Sequence, residues 1–206
     1  MILGFLKTKV NSKRHYVLVM AFAILLACGY FIYSYDSFDR NKSESPGESI
    51  SITKESDFAR SAPARLVIPK INIDTTFVPP LGLNEDQTIE VPDSYEQVGW
   101  YGAGATPGEI GPAVILGHVD SKSGPAVFYS LGQLDVGDEI EITREDGTVA
   151  KFKVDKLERT SQSNFPTMEV YGPTDNATLR LVTCSGLFDR GERRYSHNLI
   201  VYATLQ

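Results

Sequence analysis

The sequence predicts an all-β domain, a barrel or sandwich, over residues 64–206. Short apolar or alternating runs recur there, each closed by glycine, proline or aspartate turn signals. Sustained helical periodicity is scarce in the same region. A clear hairpin signal, Asp146-Gly147 between two alternating runs, lies in its middle. Many short strands at this spacing with little helix read as a closed or sandwiched sheet.

The elements are taken in chain order. Residues 65–68 and 71–77 are rich in β-branched side chains and are broken by Pro69, and Pro79-Pro80-Leu81-Gly82 ends them. Residues 88–91 predict a short strand before Pro92-Asp93. Residues 99–112 form a glycine- and proline-rich loop. Its glycine spacing is not that of a dinucleotide fold, and it leads into a strand where that motif needs a helix. Residues 113–117 are apolar enough for a buried strand and end at His118. Residues 126–134 predict a short helix or turn. Residues 139–143 and 149–154 are the hairpin arms, with 157–162 continuing the second. Residues 164–173 are irregular. A strand over 178–184 then predicts a terminal hairpin with 198–205.

A different composition precedes this domain. Residues 1–15 carry Lys7, Lys9, Lys13 and Arg14 and no acid. Residues 16–35 are uncharged and mostly apolar, long enough to cross a bilayer as a helix. Asp36 and Asp39 come directly after it, so the positive-inside rule predicts a cytoplasmic N-terminus and an external remainder. Two rival readings are a cleaved signal peptide, which lacks a small-x-small site here, and a lipoprotein signal with Cys28 lipidated. Apolar residues continuing to Tyr35 argue against the second. Residues 36–63 are polar and read as a stalk, with a possible short helix over 52–59.

Charge and cysteine usage narrow the function. From Ala64 onward there are 12 Lys and Arg against 20 Asp and Glu. An acidic domain without a basic stripe excludes nucleic acid as a partner class. Cys184 is alone in the external domain, so disulfides are not its stabilising device. An isolated thiol outside the cell is exposed to oxidation, which favours use as a nucleophile over simple burial.

Cys184 stands where its strand runs into Ser185-Gly186, at the rim of a rigid sheet. His118 also ends a strand, in Gly-His-Val-Asp. Arg190, Arg193 and Arg194 lie in the loop after Cys184. Cysteine acyl transfer needs a thiolate, a proton donor for the leaving amine and positive charge or N–H groups near the oxyanion. These residues supply all three. Each also has a plain structural reading: His118 as a strand-capping histidine, and the arginines as a solvated loop balancing Asp189 and Glu192. His197 is the reserve base. One cysteine and two histidines without paired spacing do not make a metal site, and no G-x-S-x-G elbow is present.

At these residues the chain resembles the sortases. Thr178-Leu179-Arg180-Leu181-Val182-Thr183-Cys184 is similar to their TLxTC signature, and Gly117-His118-Val119-Asp120 to their histidine strand. Gly99-Trp100-Tyr101, Pro107-Gly108-Glu109, Ala126-Val127-Phe128, Phe165-Pro166-Thr167 and Phe188-Asp189 resemble class F members in particular. The likeness spans about residues 64–206.

The resemblance implies an eight-stranded sortase-type β-barrel behind one N-terminal transmembrane helix, with no cofactor and metal dependence left open. It implies a transpeptidase that cleaves an LPxTG-type sorting signal between Thr and Gly. Cys184 would hold the acyl group, and His118 would act as acid and then base. An arginine would stabilise the oxyanion and position substrate. The acceptor would be an amine on a cell-wall precursor such as lipid II. Arg-Arg-Tyr favours Arg193 for the arginine, with Arg194 and Arg190 as alternatives. Aligning back from the last strand instead puts Asn198 or Ser196 where many sortases carry that arginine, and Ser185 replaces a more usual glycine. A hydrolytic cysteine protease and a non-catalytic peptide-binding barrel are the other readings.

Overall fold

The computed structural model describes residues 58–192 and 194–206. The basic tail, the apolar span with Cys28, the stalk as far as residue 57, most of the predicted 52–59 helix, and Arg193 lie outside the described residues. No helix among the described residues is long and apolar enough to cross a membrane.

The domain is all-β. Its strands are β1 (Pro63–Ile68), β2 (Ile73–Thr76), β3 (Gly99–Trp100), β4 (Gly111–Leu116), β5 (Asp120–Ser121) and β6 (Gly124–Pro125). They continue as β7 (Glu139–Arg144), β8 (Val149–Ser161), β9 (Ala177–Asp189) and β10 (Arg194–Leu205). Helix α1 (Thr167–Tyr171) and three single-turn 3-10 segments complete it. Eight strands make one curled sheet in the order β2-β1-β7-β8-β10-β9-β4-β3, while β5 and β6 pair separately. Parallel bridges Phe77↔Val98 and Leu81↔Tyr101 join the ends of the order and draw the sheet toward closure. Closure removes the exposed edges that would otherwise template aggregation.

Alternation places the core. In β7 and β8, Ile140 faces Phe152 and Ile142 faces Ala150 across the ladder, all fully buried. Their polar neighbours point outward, as a period of two requires. At the turn, Gly147 takes φ +83°, a left-handed conformation that glycine adopts without steric penalty. β8 outruns β7 and pairs along its other edge with β10, from Phe152↔Leu205 to Ser161↔His197.

Strands β4, β9 and β10 are buried on both faces. Ile115, Leu179, Leu181, Leu199 and Val201 enter the main core. Val114, Val182, Ile200 and Tyr202 form a second cluster on the opposite face, covered by Val170 of α1. A sheet packed on both sides reads as a continuous apolar run, which is the texture of 177–183. Arg180 is buried among them, 7% exposed. It donates Nε to the Glu169 carbonyl of α1 at 3.2 Å, and its guanidinium lies over the Tyr202 ring. Arg180 thereby ties the short helix to the sheet.

Three expected elements differ. The strand expected to end at Cys184 in a Ser185-Gly186 turn runs on to Asp189, and its partner begins at Arg194 and not at Asn198, so β9 passes the thiol instead of ending there. Residues 88–91 form no strand; only the bridge Leu83↔Ile89 is present. The loop satisfies itself instead, with the Asn84 N–H donating to the Thr88 carbonyl at 2.8 Å. The stretch 164–173, expected to be irregular, contains α1, whose single buried residue is Val170. Five residues with one apolar anchor leave no amphipathic period to detect.

Candidate functional site

The geometry of the site comes from one parallel pairing. Strand β4 runs beside β9 in register, ending with Leu116↔Val182. The Gly117 N–H donates to the Val182 carbonyl at 3.2 Å, and the Thr183 hydroxyl donates to the Gly117 carbonyl at 2.7 Å. His118 and Cys184 therefore each stand two residues beyond the last matched pair, side by side on neighbouring strands. Both continue the parity of Val114 and Val182, so both belong to the α1-covered face of the sheet.

His118 is held on several sides. Its Nε2–H donates to the Pro92 carbonyl at 2.7 Å. A carbonyl can only accept, so Nε2 carries a proton and Nδ1 is the nitrogen left for exchange. Its ring lies 4.6 Å from that of Tyr95. Its own carbonyl accepts from the Phe128 N–H at 2.9 Å. Phe128 is fully buried directly beneath Gly117, where a Cβ would come within 2.6 Å of its ring. Only glycine fits that approach. Phe128→Ala is expected to destabilise the domain by about 3–5 kcal/mol, the usual range for losing a buried phenylalanine. Urea unfolding measures it, and a loss under about 1 kcal/mol would contradict the packing described.

Cys184 is a free, exposed thiol. Loss of surrounding water in the cleft pushes its pKa up, and the nearby Asp120 carboxylate pushes in the same direction. Asp120 in turn accepts a hydrogen bond from the Tyr195 hydroxyl at the start of β10. That bond, with desolvation, pushes the tyrosine up to about 12. Beyond Cys184 the ladder slips: Gly186 and Leu187 stand against Ser196 alone, and Gly186 takes φ +83°. This is a β-bulge, which bends the strand and increases its local twist. Ser185 is 8% exposed and its hydroxyl has no partner among the described residues.

Cys184 and His118 open into one cleft of about 580 Å³. Leu83, Ile89, Val91 and Pro92 form one wall, Leu116 and Val182 the floor, and Tyr101, Phe165 and Tyr171 the far wall. The cleft is mainly apolar with a small polar group at its head: Cys184, His118, Thr183 and Asn198. Apolar walls converging on a few polar atoms are the usual form of a ligand site.

The other sequence candidates fall elsewhere. Arg193 lies outside the described residues. Arg194 pairs with Glu192 and lines a separate depression with Asp189 and Gln162. Arg190 is exposed. His197, the reserve base, is paired in the ladder with Ser185, so it points to the face opposite Cys184, where its Nδ1 meets the Ser196 hydroxyl at 2.8 Å. Among the described residues no cluster of His, Cys, Asp or Glu is placed to hold a metal ion. Sequence reasoning missed the cleft wall from residues 83–92 and the structural weight of Tyr95, both hidden in a loop without periodicity.

A family model of the sortase domain matches residues 66–206. Among solved structures, a lid mutant of sortase A from Corynebacterium diphtheriae is 22% identical, with a TM-score of 0.55 over 73% of each chain. The sortase D5 transpeptidase of Clostridium perfringens is 23% identical with a TM-score of 0.51, over 73% of this chain and 83% of that one. A lid mutant of Streptococcus agalactiae sortase C1 is 21% identical with a TM-score of 0.52, over 69% and 68%. These likenesses are of fold. No curated protein matches the chain at a significant level.

Proposed function

The chain belongs to the sortase family of cysteine transpeptidases, and we propose that it cleaves an LPxTG-type sorting signal between Thr and Gly through a Cys184 acyl-enzyme. The observation that carries this reading is the register that sets Cys184 beside His118, each two residues past the end of the parallel β4–β9 pairing, at the head of an apolar cleft. The thiol gives its proton to His118 and attacks the threonyl carbonyl. The histidine then protonates the departing glycine amine, and later takes a proton from the incoming one. A groove walled by Leu83, Val91, Pro92 and Phe165 suits the leucine and proline of such a signal. Arg193 is the proposed cation of the site, on the Arg-Arg-Tyr text. The class F likeness rests on the segments quoted from the sequence.

In the same reading, residues 16–35 anchor the chain and place the domain outside the cell, facing surface proteins and a lipid II-like amine. The test uses full-length protein, a fluorogenic LPxTG-type peptide and a glycine-like amine, analysed by mass spectrometry. A threonyl adduct on Cys184 together with an amine-linked product is the expected result. An adduct released only as the free acid would assign hydrolysis instead, and no adduct at all would overturn the proposed substrate.

A further inference from the structure

Resting on that reading, we propose that the Asn198 carboxamide is the side-chain hydrogen-bond donor to the carbonyl oxygen that Cys184 attacks. In the β9–β10 ladder Asn198 is the direct partner of Cys184. Directly opposed residues share a face, with Cβ atoms about 4.5–5.5 Å apart. Both side chains border the cleft that also holds His118. Asn198 is half-buried, and its carboxamide makes no hydrogen bond to any described residue. An idle amide beside a nucleophile, in a cleft with apolar walls, is a donor waiting for an acceptor that comes with the ligand.

Most neighbouring donors are engaged; the Gln87 and Gln162 amides also border the cleft without a partner among the described residues, but neither is paired with Cys184 in the ladder. The Thr183 hydroxyl is committed to the Gly117 carbonyl, and the Tyr195 hydroxyl to Asp120. Arg194 is paired with Glu192 outside the cleft. Arg180, though on the same face, is held by α1 and the Tyr202 ring. Among the described residues, Asn198 is the uncommitted side-chain N–H donor nearest the thiol by register.

The chemistry balances without a cation at this position. The thiol proton passes to His118, a sulfur–carbon bond forms, and the carbonyl π pair moves onto oxygen. That oxygen accepts from the Asn198 Nδ2–H, which stabilises it as charge develops. The pair then returns, the carbon–nitrogen bond breaks, and the amine leaves with the proton from His118. Arg193 is left with positioning the sorting signal.

The test compares full-length wild type, Asn198→Ala, Asn198→Asp, Arg193→Ala and Cys184→Ala with the LPxTG-type peptide. It reads acyl-enzyme formation and, separately, alkylation of Cys184 by iodoacetamide. If wild type forms no adduct, the proposed substrate is wrong, whatever Asn198 does. With wild type active, Asn198→Ala is expected to lower kcat by about 10²–10³ with little change in KM. Asn198→Asp should lose at least as much, because a carboxylate repels the oxyanion. Alkylation should stay within about threefold of wild type in both, since that displacement builds no oxyanion and reports an intact, accessible thiol. Asn198→Ala within threefold of wild-type kcat would overturn the assignment. So would a loss of alkylation matching the loss of acylation, or a large loss confined to Arg193→Ala.

Discussion

Replacing Cys184 with Ala is expected to eliminate the threonyl adduct and all amine-linked product, to below detection. No other described side chain can take over the covalent step. Ser185, its sequence neighbour, points to the opposite face with a buried hydroxyl, and Thr183 spends its hydroxyl on the Gly117 carbonyl. The fold should survive, because Cys184 is exposed and contributes little to either apolar cluster. The far-ultraviolet spectrum and unfolding midpoint should therefore match wild type; persistence of product in the variant would remove Cys184 from the mechanism. The pH dependence of the wild-type thiol is part of the same expectation. Partial loss of water around the sulfur where it faces the cleft comes first, then the Asp120 carboxylate, and both push its pKa up, so the neutral thiol predominates at neutral pH. Its alkylation should be slow there and accelerate on going alkaline, beyond the ordinary thiol range of roughly 8.5. A thiol that alkylates fully at mildly acidic pH would contradict that environment.

His118→Ala should lower transpeptidation by about 10²–10⁴-fold, the usual contribution of a positioned acid–base group. Because the resting thiol is held neutral, loss of its proton acceptor falls on acylation, and loss of the proton donor falls on amine departure. Both steps should slow. The hydrogen bond from Nε2–H to Pro92 and the contact with Tyr95 also disappear, so residues 83–95 lose a tether and KM should rise as well. His197→Ala separates the role from simple charge: on the opposite face, it should leave turnover within about threefold. Equal losses in the two variants would reassign the base.

Much of this was legible in the chain because a strand's last residue is marked by the turn residues after it. Asp146-Gly147 fixed the β7–β8 hairpin, and the apolar run before Ser185-Gly186 fixed β9 and its pairing with β10. His118 follows such an end, but β9 runs on past Cys184 to Asp189, so Ser185-Gly186 marks a bulge inside the strand and not its end. Periodicity cannot carry partnership between distant strands. The parallel match of β4 with β9 has no local signature, and it is the pairing that brings the two residues together. The cleft wall at residues 83–92 was misread because three β-favouring side chains in a short stretch resemble a strand, whereas the loop's hydrogen bonds are spent between Asn84 and Thr88. Asn198 was visible only as one of two departures, with Ser196, from the familial arginine; its idle amide was not visible.

The β4–β9 pairing also sets when the enzyme becomes reactive. Gly117 and Thr183, which lock the pair, are 66 residues apart in the chain. Closing a loop of that length carries an entropy penalty on the order of 4 kcal/mol beyond a constant, repaid only once the sheet curls around its core. The β7–β8 and β9–β10 hairpins can form early, since their contacts are local. The histidine is set beside the cysteine only when β4 docks on β9, two strands that are far apart in the chain. During synthesis, then, His118 is made long before its partner exists, and a half-folded chain carries a thiol with no acyl-transfer machinery around it. Catalytic competence therefore comes with a long-range docking and not with the local hairpins.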